Sequence, residues 1–129
     1  MLALELFESD FKTNDLTLID ALRDFLPIAV KTLKLPGIPK ISLEKSIEKS
    51  NVPTFGRFTN DDDHVYVAID NRNPNDILRT LAHELVHYKQ DCENKLHDKS
   101  GATGSPEENE ANATAGVIMR NYNQANPEQ

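Results

Sequence analysis

The chain has 129 residues, with 14 Lys and Arg against 21 Asp and Glu, and a formal net charge of −7. This length predicts one domain over residues 1–129, with residues 1–12 and 123–129 as loosely ordered ends. The excess negative charge is spread over both halves, and phosphate neutralisation needs clustered Lys and Arg. We therefore expect no stand-alone nucleic-acid binding.

The composition also bears on membranes and on the compartment. The longest apolar run, residues 25–30, is far too short for a bilayer span and contains Pro27. The N-terminus carries acids where a secretory signal needs basic residues. The single Cys92 has no partner for an internal disulfide, which suits a reducing compartment. We expect a cytoplasmic, intracellular protein with no membrane contact.

The first predicted element is a helix over residues 14–35. Its apolar residues recur every three or four positions, as on a helix with one buried stripe. Pro27 lies inside it and removes a hydrogen-bond donor, so a kink or break is expected there. The proline-containing segment 35–39 is expected to end this helix.

Three short strands are predicted next, over residues 41–45, 54–59 and 64–70. The last of them alternates apolar and polar residues, with Val65, Val67 and Ile69 on one face. The acidic turn 60–63 is expected to join the second and third strands as a hairpin.

Two helices complete the predicted order, over residues 77–92 and from Pro106 to about Tyr122. The flexible connection 98–104 contains no large apolar residue. The second helix begins with a capping-box pattern, Ser105 to Glu108, with Pro106 at its first position. A helix, three strands and two helices make an α+β domain.

An HExxH motif lies inside the first of these two helices, at His83, Glu84 and His87. Residues i and i+4 share one helix face, so both histidines can bind one metal ion. Glu84 lies about 100° further round, where it can reach a metal-bound water without ligating the metal. The motif therefore predicts a zinc site with a catalytic glutamate.

A third zinc ligand must come from elsewhere, since a catalytic zinc takes three protein ligands and leaves one position open. His97 and Cys92 are poorly placed to turn back onto the motif. On the last helix Glu107 and Glu110 share a face, and Glu108 is expected to point away from it. Glu110 has small neighbours that would allow close helix packing, and it is the favoured ligand, with Glu107 as the alternative.

These residues carry a family resemblance. TLAHELVHY followed by EENEANATAG resembles the gluzincin metallopeptidases, and among them the compact SprT-like and ImmA/IrrE-like proteins. The resemblance covers about residues 54–119 and implies one Zn²⁺ held by His83, His87 and Glu110, with Glu84 as catalytic residue. It implies a minimal zincin-like domain and a protein or peptide substrate. Short acidic gluzincins of this kind are also similar to many phage-encoded proteins.

The implied reaction is peptide-bond hydrolysis by a metal-activated water, with Glu84 as general base. The strand at residues 64–70 is expected to edge the cleft and pair with the substrate. The candidates for stabilising the oxyanion are Tyr66, His97, Arg120 and Tyr122. Two alternatives stay open: a non-catalytic protein that keeps zinc as a structural clamp, and an enzyme acting on peptidoglycan peptide cross-links. The sequence assigns no oligomeric state.

Overall fold

A computed structural model describes residues 16–49, 52–93 and 105–125. Helix α1 (Leu16–Leu33) precedes five strands and two further helices. The strands are β1 (Lys40–Glu44), β2 (Ile47–Lys49), β3 (Val52–Thr54), β4 (Gly56–Thr59) and β5 (His64–Ala68), and the helices are α2 (Pro74–Cys92) and α3 (Pro106–Ala125). The predicted α+β class is confirmed.

The main sheet has three strands in the order β1–β5–β4. Strand β5 pairs in parallel with β1 and antiparallel with β4, so the predicted hairpin across the turn 60–63 is confirmed. Because β5 is central, both of its edges are already hydrogen-bonded. The expectation that the strand at residues 64–70 offers a free edge to a substrate is therefore wrong, and β4 lies at the sheet edge instead.

A second, two-stranded sheet joins β2 and β3 and was not predicted. Each of its strands has three residues, too few for an alternation pattern to stand out from a loop. Strand β3 leads directly through Phe55 into β4. This small hairpin therefore sets the chain path by which the edge strand reaches helix α2.

One apolar cluster holds the helices against one face of the main sheet. In β5 the alternate residues Val65 and Val67 are completely buried, as the predicted period of two requires. Helix α1 contributes Phe25, whose ring meets Tyr122 of α3 edge to face at 5.5 Å. The other large, fully buried side chains include Leu18, Leu22, Leu26, Leu33, Ile41, Leu43, Leu78, Leu81, Leu85 and Ile118.

His64, the first residue of β5, is buried. Its Nε2 lies 2.7 Å from the Ser42 hydroxyl, and its ring stacks on Tyr66 with centroids 4.0 Å apart. The parallel pairing of β1 with β5 brings Ser42 next to this part of β5, which the local sequence does not reveal.

The helix ends have clear local causes. The N–H of Asp76 donates to the Asn73 side chain at the start of α2, and the N–H of Glu108 donates to Ser105 Oγ at the start of α3. Helix α1 continues through Pro27 without the break that was one of the expected outcomes there, and the left-handed Lys34, with φ 55°, follows its last residue, Leu33.

Helix α3 continues to Ala125, three residues beyond the predicted end at Tyr122. The predicted loosely ordered end at residues 1–12 and the predicted flexible connection 98–104 lie outside the described residues. Within the described part of the chain, no helix combines the length and apolar character needed to cross a bilayer.

Candidate metal centre

His83 and His87 lie one turn apart on α2, and their side chains converge as the spacing predicts. Their Nε2 atoms are 3.2 Å apart, and the two rings meet nearly edge to face. Both side chains are mostly buried, with 19% of His83 and 12% of His87 exposed. The motif therefore presents two imidazole nitrogens to one position.

Glu108 of α3 supplies the carboxylate of this group. Its Oε1 lies 2.8 Å from His83 Nε2 and its Oε2 lies 3.1 Å from His87 Nε2. The three residues each offer one ligand atom, and these atoms all lie within 4.8 Å of one another. Among the described residues, this is the group of His, Cys, Asp and Glu side chains that can hold a metal ion.

The structure thus brings Glu108 to the histidines, and not the predicted Glu110 or its alternative Glu107. The inward face of α3 is marked by the buried Ala111 and Ala115. At 3.6 residues per turn, Glu108 lies on this stripe, three and seven residues before the two alanines. Glu110 is rotated from Glu108 by about 200° and is largely exposed.

The predicted orientation of Glu108 is therefore wrong, and its spacing from the alanines was the signal that could have found it. The prediction of close helix packing through small residues is confirmed, because Ala111 and Ala115 are both buried. Glu108 also lies in the first turn of α3, where the helix dipole stabilises a negative charge. The capping-box pattern thus serves two purposes, since the N–H of Glu108 donates to the cap residue Ser105 while its carboxylate faces the histidines.

The pKa of His83 is lowered from its ordinary value near 6.5, chiefly because burial disfavours the charged ring. The positive charge that His87 can carry lowers it further, while the carboxylate of Glu108 and a hydrogen bond to the side chain of Asn112 raise it. The lowering prevails. At neutral pH His83 is thus the uncharged base that metal binding requires.

Gln90 links His87 to the start of α3 and is completely buried. Its Oε1 lies 2.8 Å from His87 Nδ1. Its Nε2 donates to the backbone carbonyl of Glu107 at 2.9 Å and to Glu110 Oε1 at 2.8 Å. Glu110 therefore lies one hydrogen-bonded residue away from the metal group.

Glu84 is on the next face of α2 and is only 8% exposed. Strand β4 passes close to it, since a methyl group placed on Gly56 would lie 3.0 Å from Glu84 Oε2 and 2.6 Å from Thr80 Cγ2. Glycine is thus what allows the edge strand to approach the carboxylate. The predicted catalytic residue lies in a narrow space between α2 and the sheet edge.

An exposed aromatic ring precedes this glycine. Phe55 is 65% exposed, and the guanidinium of Arg72 lies 4.3 Å from the centre of its ring. Arg72 is itself held by hydrogen bonds to the carbonyls of Ala68 and Asp76 and to the hydroxyl of Thr80. The ring is therefore supported on one side by an anchored cation.

The other predicted candidates fall away from this group or outside the described residues. Tyr122 is buried in the core, and Arg120 lies twelve residues after Glu108, about 18 Å along the helix axis. Neither can reach the histidines to stabilise an oxyanion. Tyr66 stacks on His64, Cys92 is exposed at the end of α2, and His97 lies outside the described residues.

The geometry of the group fits zinc. Zinc–ligand distances of about 2.0–2.1 Å in a tetrahedron place neighbouring ligand atoms about 3.3 Å apart. The two Nε2 atoms are 3.2 Å apart, close to this value, and each lies within 3.1 Å of one oxygen of the Glu108 carboxylate. Two imidazole nitrogens and one carboxylate oxygen are also a donor set that zinc prefers in catalytic sites.

Comparisons with known proteins add no assignment to this geometry. No protein-family model, no curated protein and no solved structure matches the chain. Function is accordingly inferred from the metal group and from the residues that surround it.

Proposed function

We propose that this chain is a zinc-dependent metallopeptidase of the gluzincin type, similar to the SprT-like and ImmA/IrrE-like proteins. One observation carries the proposal: the ligand atoms of His83, His87 and Glu108 lie within 4.8 Å of one another, and Glu84 directly follows His83 on α2, as in an HExxH hydrolase. The three residues would hold the ion, and Glu84 would act on the substrate side.

A zinc ion bound there would supply Lewis-acid chemistry, polarising a carbonyl and lowering the pKa of a water molecule. Glu84 has the complementary task. Its carboxylate would accept the proton of the attacking water and then deliver it to the leaving amine. The near-burial of Glu84 supports this task, because a water-poor surrounding strengthens its contact with the reacting atoms.

The edge strand supports a peptide as the substrate class. Strand β4 lies at the end of the main sheet and passes directly beside Glu84. A peptide in extended conformation can pair with such an edge, and its main chain would then run past the general base. Phe55, at the entry to β4, offers an apolar surface for a substrate side chain.

The partly exposed ligands favour catalysis over the alternative of a purely structural zinc clamp. Structural zinc sites are closed by four protein ligands, whereas this group offers three within the described residues, and all three side chains are partly exposed. A peptide in a peptidoglycan cross-link would use the same site, so it is a choice of substrate and not a separate function.

The test compares the parent protein with Glu84→Gln and Glu48→Gln. Each is assayed for bound zinc and for cleavage of casein and a peptide library. We expect about one zinc per chain in all three proteins, with cleavage lost only in Glu84→Gln because an amide cannot accept the proton. Glu48 is an exposed glutamate of β2 and serves as the matched control.

Two results would overturn the proposal. A parent protein that binds no zinc would remove its basis, and cleavage by Glu84→Gln at the parental rate would remove the general base. Zinc in all three proteins with cleavage in none of them would favour the structural clamp.

A further inference from the structure

We infer that Gln90 is a positioning residue that accepts a hydrogen bond from Nδ1–H of His87 and so holds Nε2 toward His83 and Glu108. The inference rests on the metal-binding part of the proposed function and not on its catalytic part. It gives a role to a buried amide that the HExxH pattern does not include.

The orientation of the Gln90 amide follows from its two neighbours on α3. The backbone carbonyl of Glu107 can only accept a hydrogen bond, and both it and Glu110 Oε1 lie within 2.9 Å of one end of the amide. That end must therefore be the NH₂ group, since an amide oxygen there would face two acceptors. The opposite end, next to His87, is then the oxygen.

The tautomer of His87 follows from the orientation of the amide. Gln90 Oε1 lies 2.8 Å from His87 Nδ1, and an amide oxygen can only accept. Nδ1 must carry a proton to make this hydrogen bond, which leaves Nε2 as the nitrogen through which the ring can bind a metal ion. Nε2 is the atom that lies 3.2 Å from His83 Nε2 and 3.1 Å from Glu108 Oε2.

The burial of Gln90 favours this orientation of its amide over the flipped one. Gln90 is 0% exposed, so water cannot replace any partner that its amide loses. Flipping the amide would place its oxygen against the two acceptors of α3, the Glu107 carbonyl and Glu110 Oε1. It would also remove the acceptor for the proton on His87 Nδ1. The chain from Glu110 through Gln90 to His87 thus joins the start of α3 to the metal group.

The experiment compares the full-length parent with Gln90→Met, Glu110→Gln and Gln124→Met. Methionine is close to glutamine in size but has no amide oxygen to accept the proton of His87 Nδ1. Gln124 is exposed near the end of α3, so its substitution is the matched control. Circular dichroism checks that each variant folds, and Glu110→Gln alters the chain of hydrogen bonds from an exposed position in case Gln90→Met does not fold.

Two measurements are made on each protein. Long-range ¹H–¹⁵N spectra without added metal report which nitrogen of His87 carries the proton, and competition with a chelator gives the affinity for zinc. We expect the proton on Nδ1 in the parent and the control, and a mixture of tautomers in Gln90→Met. Zinc affinity should fall by about 10–100-fold in Gln90→Met and by less in Glu110→Gln.

A His87 ring without a proton on Nδ1 in the parent would overturn the inference, as would an unchanged Nδ1 proton and an unchanged zinc affinity in Gln90→Met. The two proposals fail differently. If the parent bound zinc but cleaved no substrate, the catalytic part of the proposed function would be lost and the role of Gln90 would stand. If the parent bound zinc and cleaved peptides while Gln90→Met matched it in both measurements, only the role of Gln90 would be lost.

Discussion

Gly56 of the edge strand lies against the carboxylate of Glu84, so closely that a methyl group on Gly56 would meet Glu84 Oε2 at 3.0 Å. The same methyl group would lie 2.6 Å from Thr80 Cγ2, which real structures do not tolerate without a shift. The space at Gly56 therefore determines where the side chain of Glu84 lies. This contact ties the position of Glu84, the proposed general base, to a strand that is distant in sequence.

Gly56→Ala should consequently displace Glu84 or β4 without touching the metal ligands. We expect kcat to fall by about 100-fold, the effect of misplacing a catalytic group by about 1 Å, with zinc affinity close to that of the parent. Steady-state cleavage and chelator competition measure the two effects separately. Gly116→Ala is the matched control, because a methyl group there meets nothing within 4 Å.

The control carries its own expectation. Gly116 lies in the interior of α3, where alanine is favoured over glycine by about 0.5–1 kcal/mol. Thermal or denaturant unfolding should show this gain, with cleavage unchanged. Parental cleavage by Gly56→Ala would mean that the edge strand moves aside freely and does not position Glu84.

The identity of the third ligand is tested by Glu108→Gln and Glu107→Gln. Losing a direct ligand costs more than losing a neighbour that orients one, for which about 10–100-fold is usual. Zinc affinity should therefore fall by more than about 100-fold in Glu108→Gln and change by less than about threefold in Glu107→Gln. Chelator competition measures both, and the reverse order would place α3 in a different rotation about its axis.

The lowered pKa of His83 predicts its behaviour with pH. In ¹H–¹⁵N spectra of the full chain without added metal, the midpoint of His83 should lie below 6.5. It should move lower still in Glu108→Gln, because the carboxylate favours the charged ring, and stay unchanged in Glu48→Gln.

The lowered pKa of His83 also makes the free energy of unfolding depend on pH. The unfolded chain binds a proton at His83 more readily than the folded chain does, so this group favours folding least at low pH. The free energy of unfolding of the metal-free protein should fall as the pH drops from 6.5 toward the midpoint of His83. A His83 midpoint above 6.5 would contradict the dominance of burial.

Phe55 predicts a preference among substrates. If its exposed ring contacts a substrate side chain, Phe55→Ala should lower kcat/KM by about tenfold for peptides with large apolar residues near the cleaved bond, since burying such a side chain is worth about 1.5–3 kcal/mol. Peptides with small residues there should be affected little. Val117→Ala is the matched control, because Val117 is 41% exposed on α3. Equal losses for all peptides would remove Phe55 from the substrate site.

Local patterns were enough wherever the structure depends on neighbours in sequence. The α+β class, the hairpin of β4 and β5, and the capped start of α3 follow from periodicity, a turn and a cap. The pairing of His83 with His87 belongs to the same group, because one turn of a helix alone brings residues i and i+4 together. The place of Glu84 on the next face of α2 follows from the same helix geometry.

Tertiary structure decided what depends on how elements pack. Strand β5 became central because β1 returns to pair with it in parallel, and no local pattern encodes that partner. Glu108 is the third residue of the group because the buried Ala111 and Ala115 set the rotation of α3 against α2. Two positions on a helix differ by about 100° per residue, so an assignment two residues away points to the opposite side. The sequence by itself determined which residue types could bind a metal, and helix packing chose among three nearby glutamates.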